Sequence, residues 1–148
     1  MEQLETKAKE TLAPLTSEGT WAIIRILPHD FRLYGSRDHT FTDLFYQRLQ
    51  FQADKNLTHA YYESHAFSRI LTLNPDNILI LWSEQSEIEA IQRNAEWNEL
   101  KAVQHQRIFV PDSREWDPWG PIGRQNMIQS LVNFFVKTKP FTVAAQPV

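Results

Sequence analysis

Three short stretches of the chain hold the side chains best suited to gripping a ligand. In the first, residues 28–35, Arg32 stands between Phe31 and Tyr34 directly after an apolar run. A guanidinium presents a planar fork to an anion, and a phenol can stack on a flat ligand while donating a hydrogen bond. Arg25 lies within the apolar run, close to its end, where a charge needs a carboxylate partner or an exit into a cleft. In the second stretch Ser83 follows another apolar run. In the third, residues 113–124, Trp116 and Trp119 sit among two prolines and two glycines, a rigid loop that suits either a ligand wall or a cap on the core. The same residues also fit a solvated loop with a packed Tyr34, so pattern alone leaves both readings open.

Catalytic and metal-binding arrangements do not emerge. Without cysteine there is no thiol nucleophile and no disulfide, and no serine sits in a Gly-x-Ser-x-Gly elbow. Gly120 and Gly123 lack the spacing and the lysine of a phosphate loop. His29, His39, His59, His65 and His105 show no ligand spacing, and Glu84, Glu87 and Glu89 read as a helix start favoured by the helix dipole. The expectation is a protein that binds without catalysis and carries no cofactor, with an enzyme on an α/β scaffold as the weaker alternative, for which no residue set nominates a reaction.

The elements that must position these groups follow from periodicity. Leu4, Ala8, Leu12 and Leu15 form a narrow helical stripe, which Pro14 and the Thr16-Ser17-Glu18-Gly19 cluster are expected to end. Residues 20–27 are almost continuously apolar and β-branched, as in a strand covered on both faces, and Pro28 stops them. Residues 28–35 then read as a loop, 42–49 as a helix, 61–63 as a short strand, and a helix starting near Ser64 buries Phe67, Ile70 and Leu71. Residues 77–82 form the next buried strand, 85–93 a helix and 107–110 a strand. Met127, Ile128, Leu131, Val132 and Phe135 mark an amphipathic helix that begins near Pro121. Alternating strands and helices predict a three-layer α/β/α sandwich around a mostly parallel open sheet. In such sheets ligands meet the carboxyl ends of the strands, which selects the loops 28–39, 82–86 and 111–120.

Composition narrows the class. The 148 residues suffice for one domain, and a net charge of −3 leaves no footprint for nucleic acid. An acidic start and the lack of a long apolar run predict neither export nor a membrane span, hence a cytoplasmic protein.

The segments WAIIRILPHDFRLYG, TFTDLFYQRLQF, LNPDNILILWSE and WNELKAVQHQRIFVPDSREWDPWGPIGR, taken in order, resemble the C-terminal lobe of class III periplasmic substrate-binding proteins, the ferric-siderophore and cobalamin type. The resemblance implies one lobe of a chelatase-like metal-receptor fold. Residues 1–19 would be the distal part of the helix joining two lobes, 20–138 the lobe, and 139–148 an irregular tail. It implies a ferric siderophore as ligand, with the chelator itself filling the iron coordination sphere, and a separate N-terminal lobe as partner. The WDPWGPIGR form further resembles siderophore-binding domains fused to AraC-type DNA-binding domains, which implies a sensor lobe of a cytoplasmic transcription regulator. The alternative is the C-terminal lobe of an ABC-transporter binding lipoprotein outside the cytoplasm. In either setting Arg25, Arg32, Tyr34, Ser83, Trp116 and Trp119 are expected to converge on the ligand, with Arg32 foremost.

Overall fold

The structure, a computed structural model, describes residues 2–16, 19–36, 42–57, 62–111 and 121–144. Helix α1 (Glu2–Thr16) carries its narrow stripe inward, burying Ala8, Leu12 and Leu15 against the long α7 (Pro121–Ala144). Pro14 is accommodated inside α1, which ends at Thr16, the first residue of the cluster expected to stop it. Strand β1 (Thr20–Leu27) is the spine of the sheet. Its start is clamped by Asp76, whose Oδ2 accepts from Thr20 N at 2.9 Å while Lys101 Nζ lies 3.1 Å from Oδ1. Gly19, at φ +99°, lets the chain pass close by that carboxylate where a Cβ would collide with it.

Residues 28–35 are not the loop that Pro28 suggests. Pro28 and His29 form the two-residue turn of a hairpin, and β2 (Asp30–Tyr34) runs back antiparallel along the end of β1. Phe31 and Leu33 point into the core in alternation with half-buried Asp30 and Arg32, the period-two pattern of a strand. The remaining strands are β3 (Gln52–Ala53), β4 (Tyr62–Glu63), β5 (Asn77–Ile80) and β6 (Ile108–Phe109). The sheet order is β4-β2-β1-β5-β6, with β3 beside the start of β1. Strands β1, β3, β5 and β6 pair in parallel, whereas β2 runs against the rest and pairs antiparallel with both β1 and β4. The sheet is thus open, mixed and mostly parallel.

Helices cover both faces. On one, the Trp21 ring lies 4.9–5.7 Å from the rings of Phe45, Phe51, Phe109 and Phe135, beneath α2 (Asp43–Arg48) and α7. Helix α2 is wound in the wider π form, and its Tyr46 hydroxyl donates to Trp21 O at 3.1 Å. On the other face Phe31 meets Phe67 of α3 (Phe67–Leu73) and Trp97 of α5 (Ala95–Asn98). Helices α4 (Gln85–Ile91) and α6 (Lys101–Gln104) complete the chain between β5 and β6. Helix α7 buries Met127, Ile128, Leu131 and Phe135 completely and continues to Ala144, through part of the stretch expected to be an irregular tail. Among the described residues, no helix is long and apolar enough to cross a membrane.

Candidate ligand-binding site

The β1–β2 hairpin determines which side chains meet. In its register Arg25 is directly opposite Arg32 and Leu27 is opposite Asp30. Directly opposed residues share a face of the sheet, so both arginines emerge on the same side near the carboxyl end of β1. Tyr34 is paired with Tyr62 of β4 in the same manner. The two phenol rings lie 5.8 Å apart, edge to face, and the Trp82 ring lies 5.8 Å from Tyr34 on another flank.

The two arginines are held very differently. Arg32 Nε donates to Asp30 Oδ2 at 3.1 Å, and its guanidinium carbon lies 4.5 Å over the Tyr62 ring, a cation–π contact worth roughly 0.5–2 kcal/mol. Asp30 also accepts from His65 N at 2.7 Å. That backbone bond, together with Arg32, holds the Asp30 carboxyl below the usual carboxylate range, and the pairing raises Arg32 further. Arg25 has a different setting. Its Nε donates to Trp82 O at 3.1 Å, and among the described residues no carboxylate lies within ion-pair distance of it. It is half-buried. A cation in that position keeps its outer guanidinium nitrogens available to an anion.

Trp82, which closes β5, has φ +50°, a left-handed backbone that is rare for a bulky residue. This turn brings its carbonyl to Arg25 and its ring to Tyr34. Backbone of this kind persists where surrounding contacts over-determine it, and it is concentrated at ligand clamps. Ser83, the next residue, supplies one such contact. Its Oγ accepts from Ile26 N and donates to Leu81 O, both at 2.9 Å, and so fastens the loop after β5 to the end of β1. Its hydroxyl therefore serves as an internal bracket.

Of the residues expected at the site, Arg25, Arg32 and Tyr34 stand together on one face, and Ser83 lies beside them with its hydroxyl turned to the backbone. Trp116 and Trp119 lie outside the described residues. Asp30, Tyr62 and Trp82 join the cluster without having been singled out from the sequence. For Asp30 and Tyr62 the missing signal was the hairpin register. For Trp82 it was the position directly after four aliphatic residues, where a parallel strand releases its chain toward a cleft. At the tip of the hairpin, Asp30 also borders an open depression of about 470 Å³ that extends toward α3 and α4 and holds His29, His65 and Glu87. Among the described residues, no three histidine or acidic side chains are grouped so as to hold a metal.

An arginine pair walled by aromatic rings at the carboxyl edge of an α/β sheet suits a bulky ligand with anionic or π-rich groups. No curated protein sequence matches the chain. Among solved structures it is similar to the triscatecholate siderophore binding protein FeuA from Bacillus subtilis in complex with ferri-bacillibactin. The identity is 19% and the TM-score 0.69, over 92% of this chain and 50% of FeuA. It is also similar to FhuD2 from Staphylococcus aureus with bound ferrioxamine B, at 18% identity and TM-score 0.67, over 92% of this chain and 54% of FhuD2. An ABC transporter substrate-binding protein from Listeria monocytogenes aligns at 14% identity and TM-score 0.66, over 89% and 52%. The chain spans about half the length of these structures, and its fold is that of one of their lobes. A family model for periplasmic binding proteins matches residues 2–115 of the 148, and the chain belongs to that family, whose members bind their ligands without catalysis.

Proposed function

We propose that the chain is the C-terminal, ligand-holding lobe of a ferric-siderophore-binding protein that serves an ABC importer. The carrying observation is Arg25, a half-buried cation at the carboxyl edge of the sheet with no carboxylate beside it among the described residues. Retaining such a group costs desolvation that a fold alone has no reason to bear. The half-buried rings of Tyr62 and Trp82, backed by the buried Tyr34 that packs against both, supply the flat walls that a chelate's rings would rest on. Iron travels as cargo inside its chelator, so the lobe needs to contribute charge and shape but no metal ligands. The transporter setting has behind it the binding proteins of similar fold, whereas the regulator setting has the sequence resemblance alone.

In this reading a second lobe completes the cleft, and half a cleft binds weakly because contacts and preorganisation are both lost. Ferric iron is paramagnetic, so a bound ferric chelate broadens nearby amide signals even at low affinity. Titration of the ¹⁵N-labelled chain with ferri-bacillibactin and with ferrioxamine B is expected to broaden residues 24–26, 32–34 and 81–83 selectively. Residues around His29 and Glu87 should be spared. Absence of selective broadening with both chelates up to ~1 mM, equivalent to less than about 4 kcal/mol of binding, would refute the proposal.

A further inference from the structure

Arg25 and Arg32 oppose each other on one face of the hairpin, an arrangement that costs stability when both charges are uncompensated. Among the described residues, an acid stands beside Arg32 and none within ion-pair distance of Arg25. Asp30 accepts from Arg32 Nε at 3.1 Å, and Asp30 is itself pinned by His65 N at 2.7 Å, with His65 Nδ1 3.7 Å away. The acid is therefore part of the site's frame, and it stands on the same strand as the arginine it offsets, two residues away. From this geometry we infer that Asp30 sets the charge of the site and thereby selects among chelates by their charge. Among the described residues, the two arginines and Asp30 sum to one positive charge at this edge of the sheet.

The inference rests on the ferric-chelate reading above and deepens it. Iron(III) ringed by three catecholates carries three negative charges, and iron(III) ringed by three hydroxamates carries none. A carboxylate held beside the arginine fork repels the first and is indifferent to the second. The site consequently favours low-charge chelates more than its two arginines alone would suggest. At a separation of ~8 Å, with an effective dielectric of about 40 at the protein edge and with salt screening, one elementary charge shifts the affinity of a trianion by roughly tenfold.

Gallium(III) complexes have the charge of the ferric ones and are diamagnetic, so chemical-shift titration of the labelled chain yields affinities directly. The probes are gallium-bacillibactin, a tris-catecholate, and a gallium tris-hydroxamate of zero net charge. Asp30→Asn is expected to tighten the trianion about tenfold while changing the neutral complex by less than about twofold. Asparagine can still accept from His65 N, but should this variant fail to fold, Arg32→Gln carries the test in the opposite direction. It removes the arginine from beside Asp30, whose bond from His65 N remains, and should weaken the trianion by roughly tenfold, again sparing the neutral complex. A trianion-to-neutral affinity ratio that does not move in a folded variant overturns the inference and leaves chelate binding standing. If neither complex binds the unaltered chain, the chelate reading falls, and the inference with it.

Discussion

Replacing Arg25 with methionine separates what this residue does for the fold from what it does for a ligand. The bond lost from Nε to Trp82 O, 3.1 Å long, costs about 0.5–1.5 kcal/mol. In return the like-charge opposition to Arg32 across the hairpin disappears, restoring about 0.2–1 kcal/mol. The unbranched methionine preserves most of the packing of the arginine stem. The two changes nearly cancel, so stability should move by less than about 1 kcal/mol, or a Tm shift of no more than ~2–4 °C for a chain of this size. Binding is expected to behave otherwise. Loss of a charged hydrogen bond to an anionic chelate costs about 1.5–3 kcal/mol, a Kd roughly 10- to 150-fold weaker. Thermal unfolding followed by circular dichroism gives the first quantity and titration with gallium-bacillibactin the second. A folded variant with unchanged affinity would remove Arg25 from the site. A loss of stability above ~3 kcal/mol would mark it as a structural residue whose burial the fold does require.

Three further outcomes are expected. Ser83→Ala should cost about 1–2 kcal/mol in urea unfolding, because Ile26 N loses its acceptor, while an unchanged denaturation midpoint would deny the bracket. Gly19→Ala forces a Cβ into the Asp76 carboxylate at a φ of +99°, and it should cost about 1–3 kcal/mol and lower Tm more than alanine substitution at exposed Gly-free surface sites does. Acid should weaken the fold through two carboxylates. Burial works against ionised Asp76, but Thr20 N and Lys101 outweigh it, and His65 N and Arg32 do the same for Asp30, so both titrate below their ordinary range in the folded state. Their contribution is complete above the unfolded carboxylate value of about 3.9 and is lost as pH falls through the lower folded values. Urea-unfolding free energy should therefore decline below about pH 4, and the decline should shrink in Asp76→Asn; a decline identical in that variant would rule out its share.

Most of the framework was legible because its signals are local. Four aliphatics after Asn77, the β-branched run before Pro28 and the 3.6-residue stripe of α7 each bury themselves as their periods require. The hairpin was not legible because Pro28 has two meanings. It cannot continue a central strand, yet its fixed φ suits the start of a turn from which a new strand returns. With Phe31 and Leu33 inward and Asp30 and Arg32 half-exposed, the alternation was present but hidden by the charged and aromatic residues it contains. That one misreading placed Arg32 on a free loop and made it the leading anion contact. Register shows how each arginine is held: Arg32 is engaged by Asp30 and Tyr62, and among the described residues no acid lies within ion-pair distance of Arg25. The dual role of Ser83 and the left-handed backbone at Trp82 depend on atoms brought from 57 residues away, which no local pattern encodes.

The split edge of β1 bears on the order in which the site comes together during folding. Its second half pairs with β2 through a two-residue turn, whereas its other edge pairs with β5 across more than fifty residues. Closing the short loop sacrifices far less chain entropy, and hairpins form in about 1–10 μs. Arg25 and Arg32 are therefore brought face to face early, as a like-charged pair tempered from within by Asp30, two residues before Arg32 on the same strand. Trp82 arrives only when β5 docks, and Ser83 then ties that late arrival to Ile26. The acid that tunes the finished site would thus also relieve repulsion in the nascent hairpin, so the same carboxylate should appear in the kinetics of refolding as well as in the choice of ligand.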